Sequence, residues 1–191
     1  ITKLLQNNGY YKFNKDFLVY QADTVKNTYQ VNLTMKLLPF QLRKEDVPTR
    51  HKQYKIRNVN FLTEDNLFLQ GNNLNEYDSI HHKGLHIYYK DNLYLRPNTL
   101  AEFNYLQPQQ VYREQDVQNT YASMGRLRAL KYTNINFSEV NLNDSTQLDA
   151  NILMTKGKNQ SLSFEIEGTN SAGDLGAAAS MTFQHRNVFK G

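Results

Sequence analysis

Hydrophobic and polar residues alternate with period two along much of this chain, and those stretches predict its strands. Between Asn27 and Leu37, Tyr29, Val31, Leu33, Met35 and Leu37 alternate with Thr28, Gln30, Asn32, Thr34 and Lys36, the pattern of a strand with one buried and one wet face. The run Tyr11 to Gln21 is also strand-like, and Ala22-Asp23-Thr24 supplies a turn, so the two predict a hairpin. Charges between Pro39 and Pro48 break the alternation and mark residues 39–51 as a linker. Tyr54 to Phe61 then opens a second block as a short strand, and the shift of apolar parity between Ile56 and Val59 predicts a bulge in it.

A longer period follows. After the polar, Asn-rich stretch Thr63 to Lys83, the runs Leu85 to Tyr89 and Leu93 to Leu95 flank Lys90-Asp91-Asn92 and predict an inserted hairpin. Past Pro97, Asn98 is placed to cap a short helix carrying Leu100 and Phe103, and Pro108 is expected to end it. From Glu114 to Leu127, Val117, Tyr121, Met124 and Leu127 fall on one helical face, with Glu114 and Asp116 in the first turn where the helix dipole favours anions. Alternation returns in Tyr132 to Glu139 and Gln147 to Thr155, joined by a turn at Asn143-Asp144-Ser145. Residues 52–158 therefore predict a β-α-α-β-β unit whose helices cover one sheet face. Lys12 to Met35 and Lys131 to Met154 have equal separations, which predicts that residues 1–38 are the C-terminal part of an earlier copy.

Residues 159–191 have another character. Leu162, Phe164 and Ile166 alternate with Ser163, Glu165 and Glu167; after a Gly-containing turn at Thr169 to Asp174, Leu175, Ala177, Ala179, Met181 and Phe183 alternate with small or polar residues. Each run has the length of a strand crossing a bilayer at a tilt, and no helix follows to cover the apolar face. The expectation is a hairpin that packs on a partner or starts a larger sheet continuing past Gly191.

Composition narrows the chemistry. The 191 residues include 13 Tyr and 10 Phe against 4 Pro, a balance that favours strands over disorder. With no cysteine there is no disulfide, thiolate zinc site or cysteine nucleophile. No apolar run reaches the roughly 18 residues of a membrane-spanning helix. The net charge of +4 arises from interspersed cations and anions, and no cationic stripe or nucleic-acid motif is present, so nucleic acid is not an expected partner. His81, His82 and His86, near Glu76 and Asp78, match no standard metal spacing and are read as a solvated loop. Gly168, Gly173 and Gly176 fit neither a dinucleotide fingerprint nor a P-loop, and no Ser sits in a Gly-x-Ser-x-Gly elbow, so no enzyme activity, cofactor or metal is expected. Ile1 is not preceded by Met or a leader, so a signal peptide is expected to have been removed or to lie outside this sequence.

The repeated unit followed by an alternating hairpin resembles the POTRA (polypeptide-transport-associated) repeats and first barrel strands of the BamA/TamA family, the bacterial surface antigen family. The resemblance rests on Asn8-Gly9-Tyr10-Tyr11 entering the first hairpin, on the opening strand Tyr54 to Phe61, on Val111 to Val117 leading into the second helix, and on the ending Asn187 to Gly191. Where the family has Gly after Pro ahead of the Val-Tyr element, this chain has Gln109 after Pro108, so that turn is expected to be rebuilt.

The resemblance implies an α+β fold of POTRA-like repeats, each a three-stranded sheet under two helices, with the opening strands of an outer-membrane β-barrel at residues 159–191. It implies the periplasmic part of an outer-membrane protein that assembles, inserts or translocates β-barrel or secreted proteins, without cofactors. Partners would be unfolded outer-membrane clients or accessory lipoproteins, and the outer membrane itself through the continuing barrel. With the last strand central in the family's order, Tyr54 to Phe61 and Tyr132 to Glu139 would be sheet edges. Backbone groups around Tyr132, Asn134 and Asn136 are the expected receiving site for an added strand. The alternative is a soluble adhesion or carbohydrate-binding module in which Tyr88, Tyr89 and Tyr94 stack on sugars.

Overall fold

The computed structural model describes residues 1–24, 29–41, 43, 45–63, 77–140, 146–158, 160–171 and 174–187. It is α+β and mostly strand. A short helix α1 (Thr2–Gln6) and a 3-10 turn (Lys15–Phe17) lead into β1 (Leu18–Thr24), which pairs antiparallel with β2 (Val31–Leu37). The predicted hairpin is present with its strands displaced. Tyr11 and Lys12 form a turn before it, and Ala22-Asp23-Thr24 belongs to β1, paired with Leu33, Asn32 and Val31. Equal spacing therefore does not carry over to strand position, since Lys131 lies inside a strand and Lys12 precedes one. The alternation predicted one buried face here, yet Val31, Leu33, Met35 and Leu37 are all exposed.

The main sheet is built from β3 (Lys55–Leu62), β4 (Asp78–His82), β5 (Leu85–Tyr89), β6 (Leu130–Glu139) and β7 (Gln147–Lys156), in the order β4-β5-β3-β7-β6. Strand β3 runs parallel to β5 and β7, and the outer pairs are antiparallel. The expected bulge is there, where register shifts between Ile56 and Asn58. Two expectations are corrected. The sheet has five strands rather than three, and the strand expected over Tyr54 to Phe61 is interior rather than an edge.

Both corrections come from residues within 63–95, the stretch expected to be inserted. Lys83 and Gly84 take φ of 49° and 80°, the two left-handed positions of a type I′ turn, so β5 folds back on β4 and not on Leu93 to Leu95. The finished hairpin lies along the C-terminal half of β3. Its N-terminal half is covered by Gln109 to Tyr112: Gln109 N–H donates to Ile56 C=O at 2.7 Å, and Tyr112 N–H to Tyr54 C=O at 2.9 Å. Gln109 reaches that path at φ 66°, a left-handed conformation that glycine adopts most readily.

The core lies between this sheet and the helices. Leu148, Ala150, Ile152 and Met154 of β7 and Val59 and Phe61 of β3 meet Leu100 of α2 (Pro97–Glu102) and Val117 and Met124 of α3 (Glu114–Met124). The helix expected to reach Leu127 ends at Met124, and Leu127 packs against the core from outside it. Asn98 does not cap α2. Arg96 is the N-cap, Pro97 opens the helix, and the Asn98 amide oxygen lies 2.8 Å from His82 Nε2. The expected turn Asn143-Asp144-Ser145 lies outside the described residues.

The last element is an antiparallel hairpin of β8 (Gln160–Ser171) and β9 (Asp174–His185), twelve residues each, in unbroken register. It extends further into the predicted Thr169 to Asp174 turn than the sequence pattern suggested. Among the described residues no helix is long and apolar enough to cross a membrane, which says nothing of strands.

Candidate functional site

A sheet edge receives another strand through backbone groups that point away from its own neighbour, so hydrogen-bond parity decides what each edge offers. On β6, Val140 N–H bonds to Gln147 C=O across the β6–β7 ladder at 3.0 Å, whereas Ile135 N–H turns away from β7 and donates to the Tyr121 hydroxyl at 2.8 Å. Alternation then sends the backbone of Tyr132, Asn134 and Asn136 toward Thr155, Leu153 and Asn151. The outward groups belong to Thr133, Ile135 and Phe137. Tyr132, Asn134 and Asn136 present exposed side chains on the sheet face opposite the helices.

The centre of this edge is occupied. The Tyr121 hydroxyl, delivered by α3, accepts from Ile135 N–H and lies 3.4 Å from both Ile135 C=O and Asn134 Oδ1. One side chain thus covers both outward backbone groups of Ile135. Its position in the apolar helical stripe marks Tyr121 as core, and only the exposed polar strand beside it hints that its hydroxyl has another task.

At its far end β6 meets the preceding segment. Tyr11 packs edge-on against Tyr54 and Tyr112 and tilted against Phe137, with ring centroids 5.8, 5.1 and 5.5 Å away. Lys12 Nζ lies 2.7 Å from Glu139 Oε1, and Tyr54 O–H donates to Glu139 Oε2 at 3.3 Å. Burial by itself lowers the Lys12 pKa, but hydrogen bonds with Glu139 and Tyr54 outweigh it and the net shift is upward. The Tyr11 phenol is pushed up by burial first and by Glu139 next. Gly9 makes the approach possible. Its φ is 92°, its C=O accepts from Tyr54 N–H at 2.8 Å, and a Cβ there would stand 2.7 Å from Val111 Cγ1. Asn8-Gly9-Tyr10-Tyr11 is therefore the clasp that holds α1 and the first hairpin's approach against the main sheet. Beside it opens a cavity of about 320 Å³ lined by Tyr10, Phe13, Phe40, His51 and the clasp's Lys12 and Glu139.

On the sheet face away from the helices, polar side chains bind strand to strand. Arg57 grips Asp149 with both ends of its guanidinium, Nε to Oδ1 at 2.8 Å. The Asn60 amide donates to Asn151 at 2.8 Å, and Asn151 to Ser138 at 3.1 Å. His81 and His86 continue this face as a cross-strand pair, ring centroids 4.8 Å apart, and burial together with His81 lowers the His86 pKa. The histidines are thus on strands rather than in a loop. His82 points to the opposite face, Glu76 lies outside the described residues, and no cluster that could hold a metal occurs among the described residues. Tyr94 is a packing residue whose O–H donates to Ala129 C=O at 2.6 Å.

The β8–β9 hairpin is amphipathic in three dimensions. Leu162 pairs with Phe183, Phe164 with Met181 and Ile166 with Ala179 on one face; Ser163 pairs with Thr182 and Glu165 with Ser180 on the other. Phe164, Ile166, Leu175, Met181 and Phe183 are all more than 60% exposed, so among the described residues this apolar face has no cover.

No family model matches the chain, and no curated protein matches it. Among solved structures, BamA from Haemophilus ducreyi lacking POTRA domains 1–3 superposes with a TM-score of 0.53 at 13% identity, over 95% of this chain and 26% of that one. POTRA domains 3–5 of Haemophilus influenzae BamA align at 12% identity over 81% of this chain and 76% of that one, with a TM-score of 0.31, too loosely to bear on the argument. The first likeness shows that this chain has a BamA-like fold. The chain spans about a quarter of that BamA polypeptide.

Proposed function

We propose that this chain is the periplasmic repeat region and opening barrel strands of an outer-membrane protein that assembles, inserts or translocates β-barrel or secreted proteins. It performs no chemistry of its own and uses no cofactor. Residues 52–158 form a complete POTRA-like repeat with residues 63–95 inserted, residues 1–38 are the end of the repeat before it, residues 39–51 link the two, and residues 159–191 start the barrel. Clients or accessory lipoproteins are engaged by strand addition at a sheet edge.

The observation that carries this reading is the sidedness of β8 and β9. Their twelve-residue strands slightly exceed the roughly 9–11 residues that cross a bilayer at a tilt. They keep one face apolar and bare and the other polar or small, as barrel strands do between lipid and lumen. The BamA-like fold of the whole chain supports the same reading. Its test is a titration of the full chain in detergent with an unfolded outer-membrane barrel protein and, in parallel, with a panel of glycans. Saturable binding of the unfolded barrel and none of the glycans is expected. Glycan binding without client binding would overturn the proposal in favour of a carbohydrate-binding module.

A further inference from the structure

The two edges of the main sheet are not equivalent, and the insertion is the reason. The centre of β6 is covered by the Tyr121 hydroxyl and its far end is met by Tyr11 and Lys12. The other edge is β4, built from inserted residues. A type I′ turn closes on a hydrogen bond between its flanking residues, which makes His82 and Leu85 a bonded pair. By alternation, Ile80–Ile87 and Asp78–Tyr89 are bonded pairs too. The backbone N–H and C=O groups of Ser79 and His81 therefore face the open side, and none of them has a hydrogen-bond partner among the described residues.

We propose that β4 is the strand-docking edge of this protein, and that its occupant is an extended amphipathic segment of a protein client with an acidic residue on its polar face. Side-chain parity selects that chemistry. Ile80 lies on the helix side of the sheet, so the residue of an added strand beside it meets an apolar side chain, while His82 on that side is engaged with Asn98 of α2. Ser79 and His81 lie on the other face, where the His81–His86 pair offers ring N–H donors to a carboxylate. A strand such as Leu162-Ser-Phe-Glu-Ile-Glu167, apolar on one side and acidic on the other, fits both faces at once. Tyr121 complements this arrangement by keeping the competing edge closed.

The inference rests on the proposed engagement of clients by strand addition, and its test separates the two. A synthetic peptide with the sequence of residues 160–168 is titrated onto the full chain in detergent, and amide hydrogen exchange is followed with and without it. Slowed exchange at Ser79 and His81 and unchanged exchange at Thr133 and Phe137 are expected. Ser79→Pro and His81→Pro each delete one outward N–H while sparing the ladder to β5, and each should weaken binding at least tenfold. Thr133→Pro, the equivalent change on β6, should leave affinity within twofold. Far-UV dichroism checks that the proline variants fold; if one does not, the other and the exchange pattern of the unmodified chain decide. Tyr121→Phe should create a second site, read as new protection at Ile135.

Protection confined to β6, with binding lost only in Thr133→Pro, would overturn the β4 assignment and leave client engagement standing. Absence of binding at both edges would overturn strand addition itself. A concentration-dependent dimer abolished by Ser79→Pro, with no peptide binding, would make the occupant a second copy and overturn the client.

Discussion

The β3–β7 sheet and the β8–β9 hairpin are written in the same alternating code and meet opposite fates. Along β7, Leu148, Ala150, Ile152 and Met154 are buried beneath α2 and α3; along β8 and β9, Phe164, Ile166 and Met181 are exposed, with none of the described residues over them. The polar faces differ as well. In the sheet they are tied across strands by Arg57–Asp149 and Asn60–Asn151–Ser138, whereas the hairpin sets Ser163, Glu165 and Glu167 beside Thr182, Ser180 and Ala178. Alternation specifies a strand with two unlike faces, and what lies in the chain on either side decides whether the apolar face becomes a core or a contact surface.

The contrast is broken most strongly from the sheet side. Phe61 is fully buried, and Phe61→Ala should cost about 3–5 kcal/mol of sheet stability in urea melts, while truncating exposed Phe164 should leave the same transition in place. A charge on the hairpin inverts the test. Phe164→Arg should leave the sheet's melt unchanged and weaken vesicle insertion by about 2–4 kcal/mol if that side chain sits at mid-bilayer. Gly9→Ala strains a left-handed residue and drives a methyl into Val111, and should cost about 2 kcal/mol, read as loosening of the Tyr11 clasp. Gln109→Gly should stabilise the sheet by about 1 kcal/mol, because it relieves the same strain where the chain carries a side chain.

A pH series gives the smallest effect and again separates the two regions. Burial, then the bond to Glu114, raises the Tyr112 pKa; burial is also the leading upward cause for Tyr11, Tyr54 and Tyr94. A raised folded-state pKa contributes stability that is complete below the unfolded value, about 10 for tyrosine, and is lost as pH climbs through the folded value. The sheet should therefore begin to weaken above about pH 10, and less steeply in Tyr112→Phe. His86 has the opposite sign. Its lowered pKa costs stability as pH falls below about 6.5, so His86→Gln should flatten the acid limb.

How much of this was legible beforehand follows from range. Period-two and helical patterns are local, and they located β6, β7, β8, β9 and α3 to within a few residues, as well as the β3 bulge. The pairing of residues 78–95 was misjudged because strand pairing is not local. Leu93 to Leu95 has strand-like composition, but the left-handed pair Lys83-Gly84 set the turn earlier and sent β5 onto β3. The candidate edge at Tyr132, Asn134 and Asn136 was visible as an exposed polar row. Which backbone groups point outward was not, because that depends on register with β7 and on the reach of Tyr121.

The central claim, that the β8–β9 apolar face meets lipid, is tested most directly by cysteine scanning, since the chain has no cysteine of its own. Single cysteines at successive positions from Leu162 to Glu167 and from Ala177 to Phe183 would be labelled in lipid vesicles with a water-soluble thiol reagent and a lipid-dissolved quencher. The prediction is a period-two profile: Leu162, Phe164, Ile166, Ala177, Ala179, Met181 and Phe183 quenched from lipid and slow to react from water, with the positions between them the reverse. Uniform aqueous reactivity along both strands would contradict it.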